Sequence, residues 1–158
     1  MATLRRAEPA DAPALTRLRG LMFDAMGVSS TEQWYARCVE DLRRRLATDS
    51  FVAFVVDEDG TAVSAGVGWL EEHLSSPRQL DPRRGHIASM STDPAYRRRG
   101  HARQVFAALM GWFAEREVSR IDLRATGDGQ PLYEAFGFHV LGGATMAWTG
   151  HGTQTGLH

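Results

Sequence analysis

Residues 92–102 read Thr-Asp-Pro-Ala-Tyr-Arg-Arg-Arg-Gly-His-Ala. Such a run can hold an anion if a helix starts at its glycine. A helix N-terminus offers backbone N–H groups without intrahelical partners and the positive end of the helix dipole. Gly100 would clear the tightest point of the turn, and the small Ala102 would let a diphosphate approach the first turn. Arg98, Arg99 and Arg103 would add positive charge. The plainer alternative is a charged turn at the start of a surface helix. Two other phosphate motifs are excluded. No Lys-Ser or Lys-Thr follows Gly100, so there is no P-loop. Gly66 and Gly68 lie inside a strand pattern rather than at a strand-to-helix turn, so they make no dinucleotide fingerprint.

Other chemistries are narrowed by residue type. The six histidines are scattered, with no close His or Cys pair at ligand spacing, so no metal is expected. Cys38 is the single cysteine, which rules out an internal disulfide, and it reads as a small core residue of a helix. All 18 basic residues are arginines, so no lysine can act as base or Schiff-base former. A net charge of −1 argues against a nucleic-acid partner, despite the runs Arg43-Arg44-Arg45 and Arg97-Arg98-Arg99. The N-terminal residues lack the apolar stretch of a secretory signal, and the longest apolar run, residues 51–56, is too short to cross a bilayer. A cytoplasmic protein with no membrane partner is the expectation.

The elements that must position the turn follow from periodicity. With 158 residues, 43% hydrophobic and 23% charged, the chain has the size and composition of one ordinary globular domain. The reading is a single domain over 1–150 and a flexible C-terminal tail over 151–158. A strand over 3–7 leads into a helix over 10–26, where Leu15, Leu18, Leu21, Met22 and Met26 share one face. Ser29-Ser30-Thr31 precedes a second helix over 32–47. The runs 51–57 and 61–70 flank Asp59-Gly60, a hairpin signal. A loop over 75–84 and a strand over 86–92 come next. Ala102, Val105, Phe106, Leu109, Trp112 and Phe113 then form the broadest helical stripe. A strand over 121–125, a short helix over 131–136 and closing strands over 138–140 and 145–148 complete the order. It predicts an α/β (α+β mixed) fold: a mixed sheet with helices on both faces.

Arg97-x-x-Gly100-x-Ala102 resembles the coenzyme A signature of the GNAT superfamily of N-acetyltransferases, and the lead-in Asp93-Pro94-Ala95-Tyr96 matches too. Downstream, Leu132-Tyr133-Glu134-Ala135-Phe136-Gly137-Phe138 resembles the family's Leu-Tyr-x-x-x-Gly-Phe segment. The similarity is strong over 86–138 and architectural elsewhere. It implies a twisted, mostly antiparallel sheet with a central, splayed parallel pair of strands, and acetyl-CoA as co-substrate. It places Met90, Ser91 and Thr92 against the pantetheine arm and acetyl carbonyl. Arg97, Arg98, Arg99, Gly100, His101, Ala102 and Arg103 fall at the pyrophosphate. Tyr133 falls where many members protonate the departing thiolate. A phenol of pKa about 10 remains protonated at neutral pH and can serve as that donor.

The base is open between Glu71, Glu72 and His86, which lie near strand ends where the family often places one; strand phase does not choose among them. The resemblance implies transfer to an amine of a small molecule or peptide, with residues 11–47 and 71–85 shaping that pocket and Phe23, Trp34 and Tyr35 as candidate lining. Family members often form dimers, so a homodimer is an expectation. The alternative on the same fold is a non-catalytic acyl-coenzyme A sensor or interaction module.

Overall fold

The computed structural model describes residues 1–150, and the expected tail, 151–158, lies outside the described residues. The chain divides into two compact units, one ending at Arg124 and the next beginning at Ala125.

The first unit is a five-stranded sheet in the order β1-β2-β3-β4-β5. Its strands are β1 (Ala2–Arg6), β2 (Phe51–Glu58), β3 (Thr61–Glu72), β4 (Arg83–Thr92) and β5 (Ile121–Leu123). Neighbours from β1 to β4 are antiparallel, while β4 and β5 are parallel. Asp59 (φ 53°) and Gly60 (φ 81°) turn β2 into β3, with both central residues left-handed as a two-residue hairpin requires.

Helices α1 (Ala12–Ala25) and α2 (Glu32–Leu46) cover one face, and α3 (His101–Glu115) covers the other. The stripe read from the sequence faces inward: Val105, Phe106, Leu109, Trp112 and Phe113 of α3 are all buried. Burying each contributes roughly 1.5–3 kcal/mol. A Cβ added at Gly85 would stand 2.5 Å from the Phe113 ring, so this helix lies against the sheet only because glycine is there. On the opposite face Leu15, Leu18, Cys38 and Leu42 pack on Phe51, Val55, Ala65 and Val67. Thr31 caps α2 by accepting from the Trp34 N–H at 3.1 Å.

One irregularity matters for the site. Ala65 pairs with Ser91 but Val67 pairs with Ala88, so Ser89 and Met90 together oppose Gly66. This is a β-bulge, with Ser89 at φ 55°.

Two expectations need correction. β4 begins at Arg83, not 86, because β3 extends to Glu72 and supplies ladder partners for Arg83 and Arg84. The polar Arg-Arg pair looks like loop only when its partner strand is ignored. The second unit contains α4 (Gln130–Ala135), but residues 138–140 and 145–148 form no strand among the described residues. Their alternation is three or four residues long and is split by Gly142 and by Gly143 at φ 98°. Val140, Met146 and Trp148 are exposed, so no buried face holds a register.

Candidate functional site

The turn into α3 has the form its sequence implied. Asp93 Oδ1 accepts from the Ala95 N–H at 3.1 Å and starts a single 3₁₀ turn, Pro94–Tyr96. Arg97 is extended, Arg98 is left-handed at φ 65°, and Gly100 is left-handed at φ 81° as the N-cap of α3. No side chain among the described residues caps this helix. Its first-turn amides, from His101 through Arg103, therefore face the end of the helix without a capping oxygen. Arg97, Arg98, Arg99 and Arg103 are exposed, and Ala102 is half-buried.

Not every charge in the run is available to a ligand. Arg99 donates to Glu58 Oε1 and lies over the Tyr96 ring, 5.0 Å from its centroid. Buried His101 contacts Glu58 Oε2 through Nε2 at 3.0 Å, and its buried Nδ1 has no partner among the described residues. Both residues anchor the turn to the end of β2.

β4 supplies the second half of the cradle. β5 pairs only with Gly85, His86 and Ile87. β5 ends at Leu123, opposite Ile87, and beyond that point no strand among the described residues pairs with β4 on that side. Met90, Ser91 and Thr92 occupy this stretch. Ser91 Oγ donates to the Leu18 carbonyl at 2.7 Å, and Thr92 Oγ1 shares a 2.8 Å hydrogen bond with Ser64 Oγ. Arg19 of α1 donates to Ser89 Oγ and so holds the bulge from the helical side. A small cleft lined by Leu15, Arg19, Leu42, Ala65, Val67 and Ser89 opens beside it.

The candidate bases separate by face. Gly66 and Gly68 face α3, so the pleat directs Glu72 to the α3 side and Glu71 to the α1–α2 side. His86 pairs with Trp69 across the strands and stacks on it at 5.5 Å, which puts His86 on the face of Glu71. Glu71 accepts from Trp69 Nε1 at 2.9 Å, and its other oxygen lies 3.0 Å from His73 Nε2. His86 Nε2 is 3.0 Å from that oxygen too, but is not aligned for a hydrogen bond. The Trp69 hydrogen bond, opposed by burial and aided by His73 and His86, holds the Glu71 carboxyl below its ordinary range. Glu72 ends β3 in an exposed position.

Tyr133 lies on α4, in the second unit, and is buried. Burial pushes its phenol above the ordinary value of 10. A Cβ at Gly129 would come within 3.1 Å of its hydroxyl, so this glycine leaves room for the ring. Phe23 and Trp34 meet edge-to-face at 5.8 Å, and Arg19 lies over Phe23; these residues pack α1 onto α2. Tyr35 is exposed. Sequence reasoning passed over Arg19 and Glu58. Their partners lie on other elements, and only the packing of α1 and α3 against the sheet brings them together.

The model of the acetyltransferase (GNAT) family matches residues 16–138. The chain belongs to this family of acetyltransferases. Solved structures agree with the GNAT fold. A predicted acetyltransferase from Clostridium acetobutylicum, solved with acetyl-CoA, is 21% identical, with 93% of this chain and 96% of that one covered at a TM-score of 0.84. A GCN5-related N-acetyltransferase from Ralstonia eutropha is 26% identical, covering 94% and 99% at a TM-score of 0.79. Glucosamine-6-phosphate N-acetyltransferase from Arabidopsis thaliana is 19% identical, covering 94% and 98% at 0.71. Among curated proteins, none matches the sequence. No helix among the described residues is long and apolar enough to cross a membrane.

Proposed function

We propose that this GNAT acetyltransferase moves the acetyl group of acetyl-CoA to an amine of a small molecule or peptide, by direct attack in a ternary complex. The observation that carries the reading is the stretch of β4 beyond Ile87, left unpaired where β5 ends, beside an uncapped α3. One extended edge and one helix N-terminus are joined by an eight-residue connection, residues 93–100. An extended edge suits an amide-bearing arm, and a helix N-terminus suits a diphosphate. The structure of the Clostridium relative with acetyl-CoA and the names of the other relatives support the same class of reaction.

In this reading Met90, Ser91 and Thr92 line the pantetheine arm and polarise the thioester carbonyl. Residues 97–103 receive the pyrophosphate, chiefly through backbone amides, since Arg99 is already committed to Glu58. The neutral amine attacks the carbonyl carbon. The tetrahedral adduct collapses by breaking the C–S bond, and the Tyr133 hydroxyl delivers a proton to the departing thiolate. The surplus proton of the amine passes to a base, directly or through water. Glu71 and His86 share a face with the cleft beside Ser89, whereas Glu72 points to the α3 face. The first two are therefore the better placed bases. The amine would enter from the α1–α2 side.

The deciding experiment pairs calorimetry of acetyl-CoA binding with release of free coenzyme A across an amine panel. Saturable, amine-dependent thiol release is the expected outcome. Tight acetyl-CoA binding without turnover on any amine would overturn the catalytic reading in favour of a sensor.

A further inference from the structure

The cluster of Glu71, His73 and His86 has the composition of a metal site, although the sequence holds no His pair at ligand spacing. Their ligand-capable atoms, one from each, all lie within 4.8 Å of one another. Glu71 Oε2 is 3.0 Å from Nε2 of both histidines. Atoms bound at roughly 2.0–2.2 Å to one ion stand roughly 3–3.5 Å apart, so the two carboxylate–imidazole edges already have ligand spacing. The third edge, between the two imidazoles, is within 4.8 Å. His73 lies just beyond the end of β3 and is partly exposed, so a side-chain rotation there is cheap.

One neighbour, Trp69, prepares the site through two contacts. Trp69 Nε1 binds Glu71 Oε1 at 2.9 Å and thereby turns the other oxygen toward the histidines. Its indole stacks on His86 and fixes that ring. This is how an outer partner orients a metal ligand. Meanwhile His86 Nε2 is buried with no hydrogen bond among the described residues, a cost that an ion would remove. Two imidazoles and a carboxylate favour a borderline divalent ion over calcium or magnesium.

We propose that Glu71, His73 and His86 form a three-ligand site for a divalent cation of the zinc type, with a further coordination position open to water or a donor atom. Arg45, 5.0 Å over the Trp69 ring, and Arg84, paired across the strands with Glu71, bring positive charge to this face. Like charge on this face should weaken cation binding. The inference stands apart from the acetyl-transfer reading, since it concerns binding alone. It has a consequence for that reading: an ion here takes the lone pairs that Glu71 or His86 would need as a base, so occupancy would inhibit.

The test uses the full chain with Zn²⁺ in calorimetry and Co²⁺ in visible spectroscopy, alongside thermal melts with and without zinc. Wild type should bind one equivalent, show the absorption of cobalt held by nitrogen ligands, and melt higher with zinc. H73A, H86A and E71Q should each weaken zinc binding at least tenfold and lose the melting shift. H73A keeps the test valid should H86A fail to fold, because His73 lies outside the strand ladder. Zinc binding that survives in H73A and E71Q, or no heat and no melting shift up to millimolar zinc, would overturn the proposal. Neither result depends on whether an amine substrate has been found.

Discussion

Glu58 and His101, 43 residues apart in sequence, meet at 3.0 Å between Oε2 and Nε2, while the other Glu58 oxygen binds Arg99. The last residue of β2 thus holds both the residue before the α3 N-cap and the residue after it. Replacing Glu58 with Gln keeps the shape and removes the charge. Because the pair is largely buried, the change should cost about 1–2 kcal/mol of stability. It should also raise KM for acetyl-CoA several-fold, with kcat less affected, since the turn loses its anchor while the reacting groups remain. A melt combined with steady-state kinetics separates the two effects; an unchanged KM would deny Glu58 any positioning role.

Gly100 gives a sharper probe of the same turn. Its φ of 81° is a conformation that costs other L-residues about 1–2 kcal/mol, although nothing lies within 4 Å of an added Cβ. G100V should therefore fold with only a modest drop in melting temperature. The branched side chain would stand where a diphosphate approaches α3, so the Kd for acetyl-CoA should rise about tenfold, or about 1.4 kcal/mol. Calorimetry with acetyl-CoA checks this, with dephosphorylated pantetheine compounds as a control that should lose less.

Local pattern explains how much of this was legible in the sequence. The helical stripe from Ala102 to Phe113, the Asp59-Gly60 hairpin and the turn at Gly100 are encoded by neighbouring residues, and each stands in the structure as read. The start of β4 at Arg83 was missed because Arg83 and Arg84 gain strand character only from pairing with β3. The same reason hid the cluster around Glu71. His73 and His86 are 13 positions apart and share a carboxylate oxygen only once the β3–β4 ladder is in register. The strands expected over 138–148 failed the other way, as alternation without a buried face to enforce it.

Glu71 should leave its mark on acid stability. Its carboxyl is held low by the Trp69 hydrogen bond, so its folded-state pKa lies below the ordinary value near 4.3. The unfolded chain then takes up its proton first as pH falls. The stability that Glu71 contributes is complete above the unfolded value and is lost as pH drops through the folded one. Urea melts from pH 6 to pH 3 should show a smaller decline for E71Q than for wild type. W69F should lie between them, because it removes the indole donor but keeps a ring on His86. Parallel curves for E71Q and wild type would show that the Trp69 contact does not hold the carboxyl low.

Tyr133 supplies the prediction closest to the chemistry. Burial raises its phenol above the ordinary value, so the hydroxyl remains a proton donor throughout the neutral range. The unfolded chain ionises first on the alkaline side, and stability that is intact below pH about 10 falls as pH climbs toward the folded value. Y133F keeps the packing beside Gly129 and removes the proton. Its kcat should fall about 10²-fold, within the usual reach of a general acid, while the Kd for acetyl-CoA stays within a factor of two. Its alkaline melts should decline less steeply than those of wild type. A kcat equal to wild type would leave Tyr133 as a packing residue and assign thiolate protonation to water. A matched loss of acetyl-CoA affinity would instead place it in binding.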